Sequence, residues 1–98
     1  MEVRFKDRGL ERLNSDARTG AEYPAGVVKA FRKRIQVIRA APNEQVFYSL
    51  KSLHYEKLKG KRDHQHSMRL NDQYRLILEY DSQSETRVAV ICSIEDYH

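Results

Sequence analysis

The chain has 98 residues, of which 40% are hydrophobic and 33% charged, and a net charge of +4, so we expect one domain over residues 1–98 with a thin core. No apolar run approaches the roughly 20 residues of a membrane span, and no charged-then-apolar leader is present, so we expect neither a membrane protein nor a secreted one. One cysteine, Cys92, excludes an internal disulfide, and the histidines show no zinc-ligand spacing. We therefore expect a reduced thiol, no metal, no cofactor and a cytoplasmic protein.

The first predicted elements are a short strand and a short helix. Residues 3–5 alternate between apolar and polar side chains, which predicts a strand. Asp7 is suitably placed to cap a helix that turns Leu10 and Leu13 inward. Residues 14–20 are rich in Asn, Ser, Asp, Thr and Gly, which indicates a loop.

A second, longer helix is predicted to begin at Pro24 and to stop before Pro42. Its apolar residues recur at helical spacing and predict one buried stripe, formed by Val27, Val28, Phe31, Ile35 and Ile38. The opposite face contains basic residues and no acid, namely Lys29, Arg32, Lys33, Arg34 and Arg39. That face could meet a phosphate backbone or an acidic partner, or it could simply be a solvated helix face.

The second half of the chain changes to an alternating pattern. It predicts four strands, at 53–61, 67–70, 74–80 and 87–94, with turns at 71–72 and 81–85. Two strands have an apolar face each, formed by Tyr74, Leu76, Leu78 and Tyr80 in one and by Val88, Val90, Cys92 and Ile94 in the other. Helices followed by hairpin-linked strands predict an α+β fold, with a helical hairpin packed on a mostly antiparallel sheet of four to five strands.

The basic charge is concentrated in residues 51–75, which contain seven basic and three acidic side chains and so account for the whole excess of +4. On a strand, Tyr55, Lys57, Lys59 and Lys61 would share one face, with the lysines suited to phosphates and the ring to a base. The full set of candidate RNA contacts from this zone is Tyr55, Lys57, Lys61, Arg62 and Arg69. The alternative is a lysine-rich hairpin that only keeps the protein soluble.

Titratable groups at the C-terminal end form a second candidate cluster. A strand that continues past Ile94 would place Asp96 and His98 on one face and Tyr97 on the other. A histidine exchanges protons near neutral pH, and a neighbouring aspartate orients the ring and favours its charged form. The alternative is a frayed terminus.

Arg75 is an unusual residue for a central strand, and it indicates a carboxylate or phosphate partner. An ion pair with Glu79 or Asp96 is the structural alternative. A basic groove with titratable histidines and few acids fits metal-independent cleavage of RNA, in which the ribose 2′-OH is the nucleophile. Such an enzyme removes that proton, stabilises the phosphorus centre with cations and protonates the leaving 5′-oxygen.

Three stretches of sequence, LHYEKLKGK at 53–61, SMRLNDQYRLI at 67–77 and IEDYH at 94–98, resemble the HigB-type toxins of the RelE/ParE superfamily, a group known as plasmid-maintenance killer proteins. The most specific parts of the resemblance are the Leu-Lys-Gly at 58–60, the Tyr-Arg at 74–75 and the Asp-Tyr-His at 96–98. The resemblance covers essentially the whole chain in length and element order.

The resemblance implies a RelE-like fold and an mRNA interferase that cleaves mRNA in the A site of the 70S ribosome by 2′-OH attack. It implies a cognate HigA-type helix-turn-helix antitoxin, with operator DNA bound only through the complex of the two proteins. The residues that it implies for catalysis are His98, Asp96, Tyr97, His54, Lys59 and Arg75. In this interpretation His98 exchanges protons, Asp96 orients it, and Lys59 and Arg75 hold the scissile phosphate.

Two other functions fit the same charge pattern. One is a ParE-like inhibitor of DNA gyrase, and the other is a non-enzymatic module that binds RNA or the ribosome. Neither requires the cluster at 96–98, so removal of Tyr97 and His98 distinguishes them from an interferase.

Overall fold

A sheet with helices on one face forms the framework of the protein. The computed structural model describes residues 1–16, 18–81 and 87–97. The helices in these ranges are α1 (Arg8–Ser15), α2 (Ala25–Ala40) and α3 (Gln45–Ser49), with short 3-10 helices at Lys51–Leu53 and Gly60–Arg62. The strands are β1 (Glu2–Phe5), β2 (Glu56–Lys57), β3 (Gln65–Arg69), β4 (Tyr74–Asp81) and β5 (Val88–Asp96).

The five strands of the described residues lie in the order β1-β5-β4-β3-β2, so β5 is flanked by β1 and β4. Only the β1–β5 pair is parallel, and the other described pairs are antiparallel. The terminal ammonium of Met1 donates to the carbonyl oxygens of Arg39 at 2.8 Å and Ala41 at 2.9 Å, which fastens the start of β1 to the end of α2. The predicted α+β class with a mostly antiparallel sheet is confirmed.

The helical hairpin forms where the sequence predicts it. The Oδ1 atom of Asp7 accepts a 2.8 Å hydrogen bond from the amide of Leu10, and Leu10 and Leu13 are buried. The α1 helix continues through Ser15, two residues into the predicted loop. Gly20 has φ +97°, and a Cβ there would lie 2.8 Å from side-chain atoms of Leu13 and Val28, so the close approach of the loop requires glycine.

The α2 helix begins one residue after Pro24, which precedes the helix as its cap, and it ends before Pro42 as predicted. All five residues of its apolar stripe are buried. Its basic face is not uniformly solvated, because two arginines bind carbonyl oxygens elsewhere in the fold. Arg32 donates to the carbonyl of Leu13 at 2.9 Å, and Arg34 donates to the carbonyl of Arg69 at 3.1 Å.

The predicted strand at 53–61 is wrong. This segment contains a 3-10 helix, the two-residue strand β2 and a second 3-10 helix, and the short helix α3 precedes it. Two residues with positive φ, His54 at 46° and Gly60 at 69°, redirect the chain at either end. The four residues Tyr55, Lys57, Lys59 and Lys61 therefore do not share one strand face.

A β-bulge in β5 changes which of its residues face the helices, compared with the prediction. In the pairing with β4, Ile77 is opposite Ser93 and Leu78 is opposite Ile91, so Cys92 is the additional residue. The helix-facing side of β5 consequently carries Ala89 and Ile91 before the bulge and Ile94 after it. The predicted apolar face is wrong, since it combined Ile94 with residues of the opposite side, Val88, Val90 and Cys92.

The sheet face opposite the helices is called the outer face below. It alternates with the core residues of each strand and carries Ser67, Arg69, Arg75, Ile77 and Glu95. The described residues include a free thiol at Cys92, and burial raises the pKa of that thiol to about 11, so it is protonated at neutral pH. The turn predicted at 81–85 lies outside the described residues from 82 onward.

Candidate functional site

Strand pairing aligns three charged residues at one end of the outer face. Arg69 of β3 is opposite Arg75 of β4, and Arg75 is opposite Glu95 of β5. We call these three residues the Arg75 row. Because β5 continues beyond Glu95, the chain brings Asp96 and Tyr97 to the same end of the sheet. The guanidinium groups of Arg69 and Arg75 and the end of β5 therefore lie at the same end of the sheet. The sequence analysis had treated these residues as separate candidates.

Arg75 stacks on an aromatic ring. The guanidinium carbon of Arg75 lies 4.8 Å from the ring centroid of Tyr97, and Tyr97 is 48% exposed. The Nη1 atom of Arg75 is buried and has no hydrogen-bond partner among the described residues. Glu79, one of the two acids considered as its ion-pair partner, instead faces Lys6 at 3.9 Å and His64 at 3.6 Å. Arg75 thus retains an unused donor beside an accessible ring.

The end of β5 is held in place as far as the structure describes it. The amide of Tyr97 donates to the carbonyl of Gln73 at 2.7 Å, and the side-chain amide of Gln73 donates to Asp96 at 2.9 Å. Asp96 and Tyr97 point to opposite sides, as the strand period predicts. A frayed end is therefore wrong through residue 97, and His98 lies outside the described residues.

His54 reaches the same end of the sheet from the segment before β2. Its left-handed backbone ends the first 3-10 helix, and its Nε2 atom lies 3.4 Å from the Nη1 atom of Arg69. Arg69 also donates to the carbonyl of Asn71 at 3.3 Å and pairs with Asp72. His54 is exposed, so a titratable ring stands beside the Arg75 row.

The three lysines of the basic zone are exposed, although they are not on one strand. Lys57 belongs to β2, Lys59 precedes the second 3-10 helix and Lys61 lies within it. Within the ranges described, none of their ammonium groups forms an ion pair with a carboxylate. Their charges are therefore available to an external polyanion.

Tyr55 lies in the core and not beside these lysines. It is 8% exposed, its hydroxyl donates to Glu44 at 2.8 Å and lies 2.6 Å from the hydroxyl of Tyr80, and its ring stacks on His66 with centroids 5.1 Å apart. The structure corrects the prediction that Tyr55 offers its ring to a base. The error came from the assumed strand, in which Tyr55 and the lysines would have alternated together.

Arg62 is engaged by an acid that the sequence analysis missed. Its two terminal nitrogens bind the two carboxylate oxygens of Glu95 at 2.9 and 2.6 Å, and its Nε atom donates to Gln65 at 3.0 Å. Hydrogen bonding by Arg62 holds the pKa of Glu95 below its ordinary value, and the hydroxyl of Ser93 adds a 2.9 Å bond. The alternation already turned Glu95 away from Ile94, but it did not indicate that Arg62, in a 3-10 helix between β2 and β3, would reach it.

The donor set of this site suits an anion. Its described residues present Arg75 with an unpaired nitrogen and the aromatic ring of Tyr97, and the guanidinium of Arg69 is on the neighbouring strand. No group of three or more His, Cys, Asp or Glu side chains in the described ranges is arranged to hold a metal ion. In the same ranges, no helix has the length and apolar character needed to cross a membrane.

Comparisons with known proteins identify the family of this chain. The sequence matches, over residues 3–98, the family described as RelE-like toxin of type II toxin-antitoxin system HigB. Toxin HigB-1 of Vibrio cholerae serotype O1 is 29% identical over 80 residues, which cover 82% of this chain and 84% of that protein. An uncharacterized protein of Haemophilus influenzae is 30% identical over 78 residues, which cover 80% and 77% of the two chains.

The fold is also similar to that of a solved structure, a YoeB/ParE toxin from Agrobacterium tumefaciens. The TM-score is 0.60 over 100% of both chains at 15% sequence identity, a likeness that shows the fold alone. The family match spans the helical hairpin, the sheet and the end of β5, so it includes every element that builds the site. The chain therefore belongs to the HigB-like toxins, which are RelE-like toxins of type II toxin-antitoxin systems.

Proposed function

We propose that this toxin is a metal-independent mRNA interferase that cleaves mRNA in the A site of the ribosome. The observation that carries the proposal is the buried, unpartnered Nη1 atom of Arg75 next to the exposed ring of Tyr97. A guanidinium with an unused donor is suited to a phosphate, and an exposed ring beside it is suited to a base or ribose. The family to which the chain belongs supports a toxic activity.

In this proposal the substrate supplies the nucleophile. The 2′-OH of the ribose attacks the adjacent phosphorus, its proton passes to a base of the enzyme, and an acid protonates the leaving 5′-oxygen. Arg75 donates to the non-bridging oxygens, and Lys59 adds a second positive charge. One such preorganised donor typically accounts for a factor of about 10²–10³ in kcat.

Proton transfer is assigned to groups at the same end of the sheet. Asp96 is fixed by Gln73, and His54 lies beside Arg69, so both approach the Arg75 row from different elements. We propose that His98 exchanges protons with the RNA, that Asp96 sets its orientation and that His54 is the second titratable group. Tyr97 either stacks on a base or places the 2′-OH.

The partners follow from the toxin family and the surface charge. Type II toxins are neutralised by a protein antitoxin, and we propose one of the HigA type that carries a helix-turn-helix domain and brings the complex to operator DNA. The excess charge of residues 51–75 supports contact between Lys57 or Lys61 and ribosomal or messenger RNA in the cytoplasm.

The test is growth and primer extension in one induced culture with three forms of the toxin. We expect the wild type to arrest growth and to produce new mRNA 5′ ends within translated codons. Both His98→Ala and deletion of Tyr97 and His98 should abolish the new ends. Arrest without new ends, or ends that persist in both variants, contradicts the proposal; gyrase inhibition and plain ribosome binding would then be measured.

A further inference from the structure

The side chain of Arg62 crosses the outer face of the sheet. Its Nε atom bonds Gln65, which is in register with Glu79, and its terminal nitrogens bond Glu95, which is in register with Arg75. Between these two rows of the ladder lies the pair Ser67 and Ile77. The side chain of Arg62 therefore connects the row of Gln65 and Glu79 with the row of Arg75 and Glu95, and the row of Ser67 and Ile77 lies between them.

The burial of the intervening row agrees with this path. Ser67 and Ile77 are both 0% exposed, although they face away from the helices. The Oγ atom of Ser67 is buried and has no hydrogen-bond partner among the described residues. The side chain of Arg62 thus lies on the outer face and is fastened to β5 through Glu95.

We propose that the Arg62–Glu95 pair is a clamp that holds the segment 57–62, and with it Lys59, in a fixed position against the outer face of the sheet. This inference rests on the proposed interferase function, because its purpose is to hold a phosphate-binding lysine in place. Arg62 and Glu95 are positioning residues in this scheme. The clamp replaces the initial hypothesis that Arg62 itself grips RNA.

The geometry argues against a direct RNA contact by Arg62. Each of the three guanidinium nitrogens already donates one hydrogen bond, to Gln65 or to an oxygen of Glu95. A phosphate would meet only the two remaining N–H groups, on a guanidinium whose charge is already neutralised by Glu95. An exposed ion pair contributes little to overall stability, and the side chains of Arg62 and Glu95 are 46% and 34% exposed. We therefore assign the pair a role in positioning the segment and not in stabilising the fold.

The two readings of Arg62 predict opposite results for Glu95→Gln. If Arg62 binds RNA directly, loss of the competing carboxylate leaves binding equal or stronger. If the pair is a clamp, Glu95→Gln and Arg62→Ala impair the protein in the same way, and the double variant is no worse than either single one. Arg4→Ala is the matched control, since Arg4 is another exposed arginine with a carboxylate partner, Asp81 at 3.2 Å.

The experiment uses the purified toxin and two readouts. The first is the rate at which trypsin cleaves after Lys59, a bond that all variants retain; it should rise up to about fivefold in both single variants, as loss of one well-formed ion pair allows. The second is ribosome-dependent cleavage of an mRNA, in which kcat should fall by the order of tenfold to a hundredfold with a smaller change in KM, because a misplaced group slows the chemical step.

The outcomes separate the clamp from the interferase itself. Unchanged trypsin sensitivity in Glu95→Gln, or tighter RNA binding by that variant, overturns the clamp. A wild type that cleaves no mRNA overturns the proposed function, while the trypsin assay still reports whether the segment is fastened. A thermal melt of each variant, expected to match that of Arg4→Ala, shows that the effects do not come from unfolding.

Discussion

The two ends of the sheet contain similar residue types, but the arginines at the two ends differ in their hydrogen-bond partners. At the end opposite the Arg75 row, Glu44 accepts from the hydroxyl of Tyr55 at 2.8 Å and from Arg87 at 2.6 Å, and Arg87 stacks over the ring of Tyr80 at 4.2 Å. With His66, these residues form what we call the Glu44 cluster. At the Arg75 row, a guanidinium also stacks on a tyrosine, but it retains a nitrogen without a partner.

The two arginines therefore differ in their partners and not in residue type. Arg87 bonds Glu44, whereas one nitrogen of Arg75 has no partner among the described residues; in the Glu44 cluster the atom without a partner is Nδ1 of His66. In the Glu44 cluster the charged and hydroxyl groups bind one another, and burial raises the pKa of Tyr80 to about 12. Burial acts to raise the pKa of Glu44, but the bonds from Tyr55 and Arg87 outweigh it and hold that pKa below its ordinary value. At the Arg75 row, the corresponding nitrogen of Arg75 has no hydrogen-bond partner among the described residues.

The largest expected effect comes from removal of that donor. Arg75→Gln should lower kcat for mRNA cleavage by about 10²–10³-fold, since one preorganised donor to the developing charge is lost. Because Arg75 forms no ion pair in the described part of the chain, the free energy of unfolding measured in urea should change by less than about 1 kcal/mol.

Arg87→Gln is the matched comparison for Arg75→Gln, because Arg87 also stacks on a tyrosine. It should lower the free energy of unfolding, through loss of its bond to Glu44, and leave kcat unchanged. The reverse pattern, with Arg75 needed for stability and Arg87 for activity, would mean that the two ends of the sheet have been assigned the wrong way round.

The next effect in size is on stability. Tyr55→Phe removes the hydroxyl that bonds both Glu44 and Tyr80, so it should lower the free energy of unfolding by about 1–3 kcal/mol. The measurement is urea denaturation followed by circular dichroism. Tyr97→Phe, the control at the other end, should leave the urea midpoint unchanged, because no hydrogen bond of the Tyr97 hydroxyl is found in the described residues. Equal losses in the two variants would contradict the comparison.

The smallest effect is on the pH dependence of stability. The folded-state pKa of Glu44 is below the model-peptide value of 4.5, so its contribution is present above that pH and is lost as the pH falls through the folded value. We expect the urea midpoint of the wild type to decline below pH 4.5 more steeply than that of Glu44→Gln. Parallel curves for the two proteins would show that Glu44 has the same pKa in the folded and unfolded chain.

Local sequence signals predicted the parts of the fold that local interactions determine. The cap at Asp7, the stripe of α2 and the stop before Pro42 all appear in the structure, because each depends on residues within a few positions of one another. The signals failed at α3 and β2, where burial of Phe47, Leu53 and Tyr55 follows from tertiary packing and from the left-handed backbone of His54.

For the site, the sequence named most of the candidate residues but not their partners. It identified Arg75, Asp96 and Tyr97 as residues of interest, and the structure brings them to one end of the sheet. The bulge at Cys92 exchanged the predicted faces of Val88 and Val90, because a bulge has no signal in the alternation of β5. Glu95 was missed for another reason: alternation along one strand does not show which residue of another element lies opposite.

The position of β5 between β1 and β4 has a consequence for how the protein folds. Glu2 is paired with Val88, so β1 pairs with a strand near the other end of the sequence. Pairing between strands so far apart in sequence is slow, because a long loop must close first. The β3–β4 hairpin is local, and we expect it to form first, followed by β5 and then by β1. Strand β1 therefore docks last, and we expect a partly folded chain in which β3, β4 and β5 have paired to bring Arg75, Glu95 and Asp96 together already.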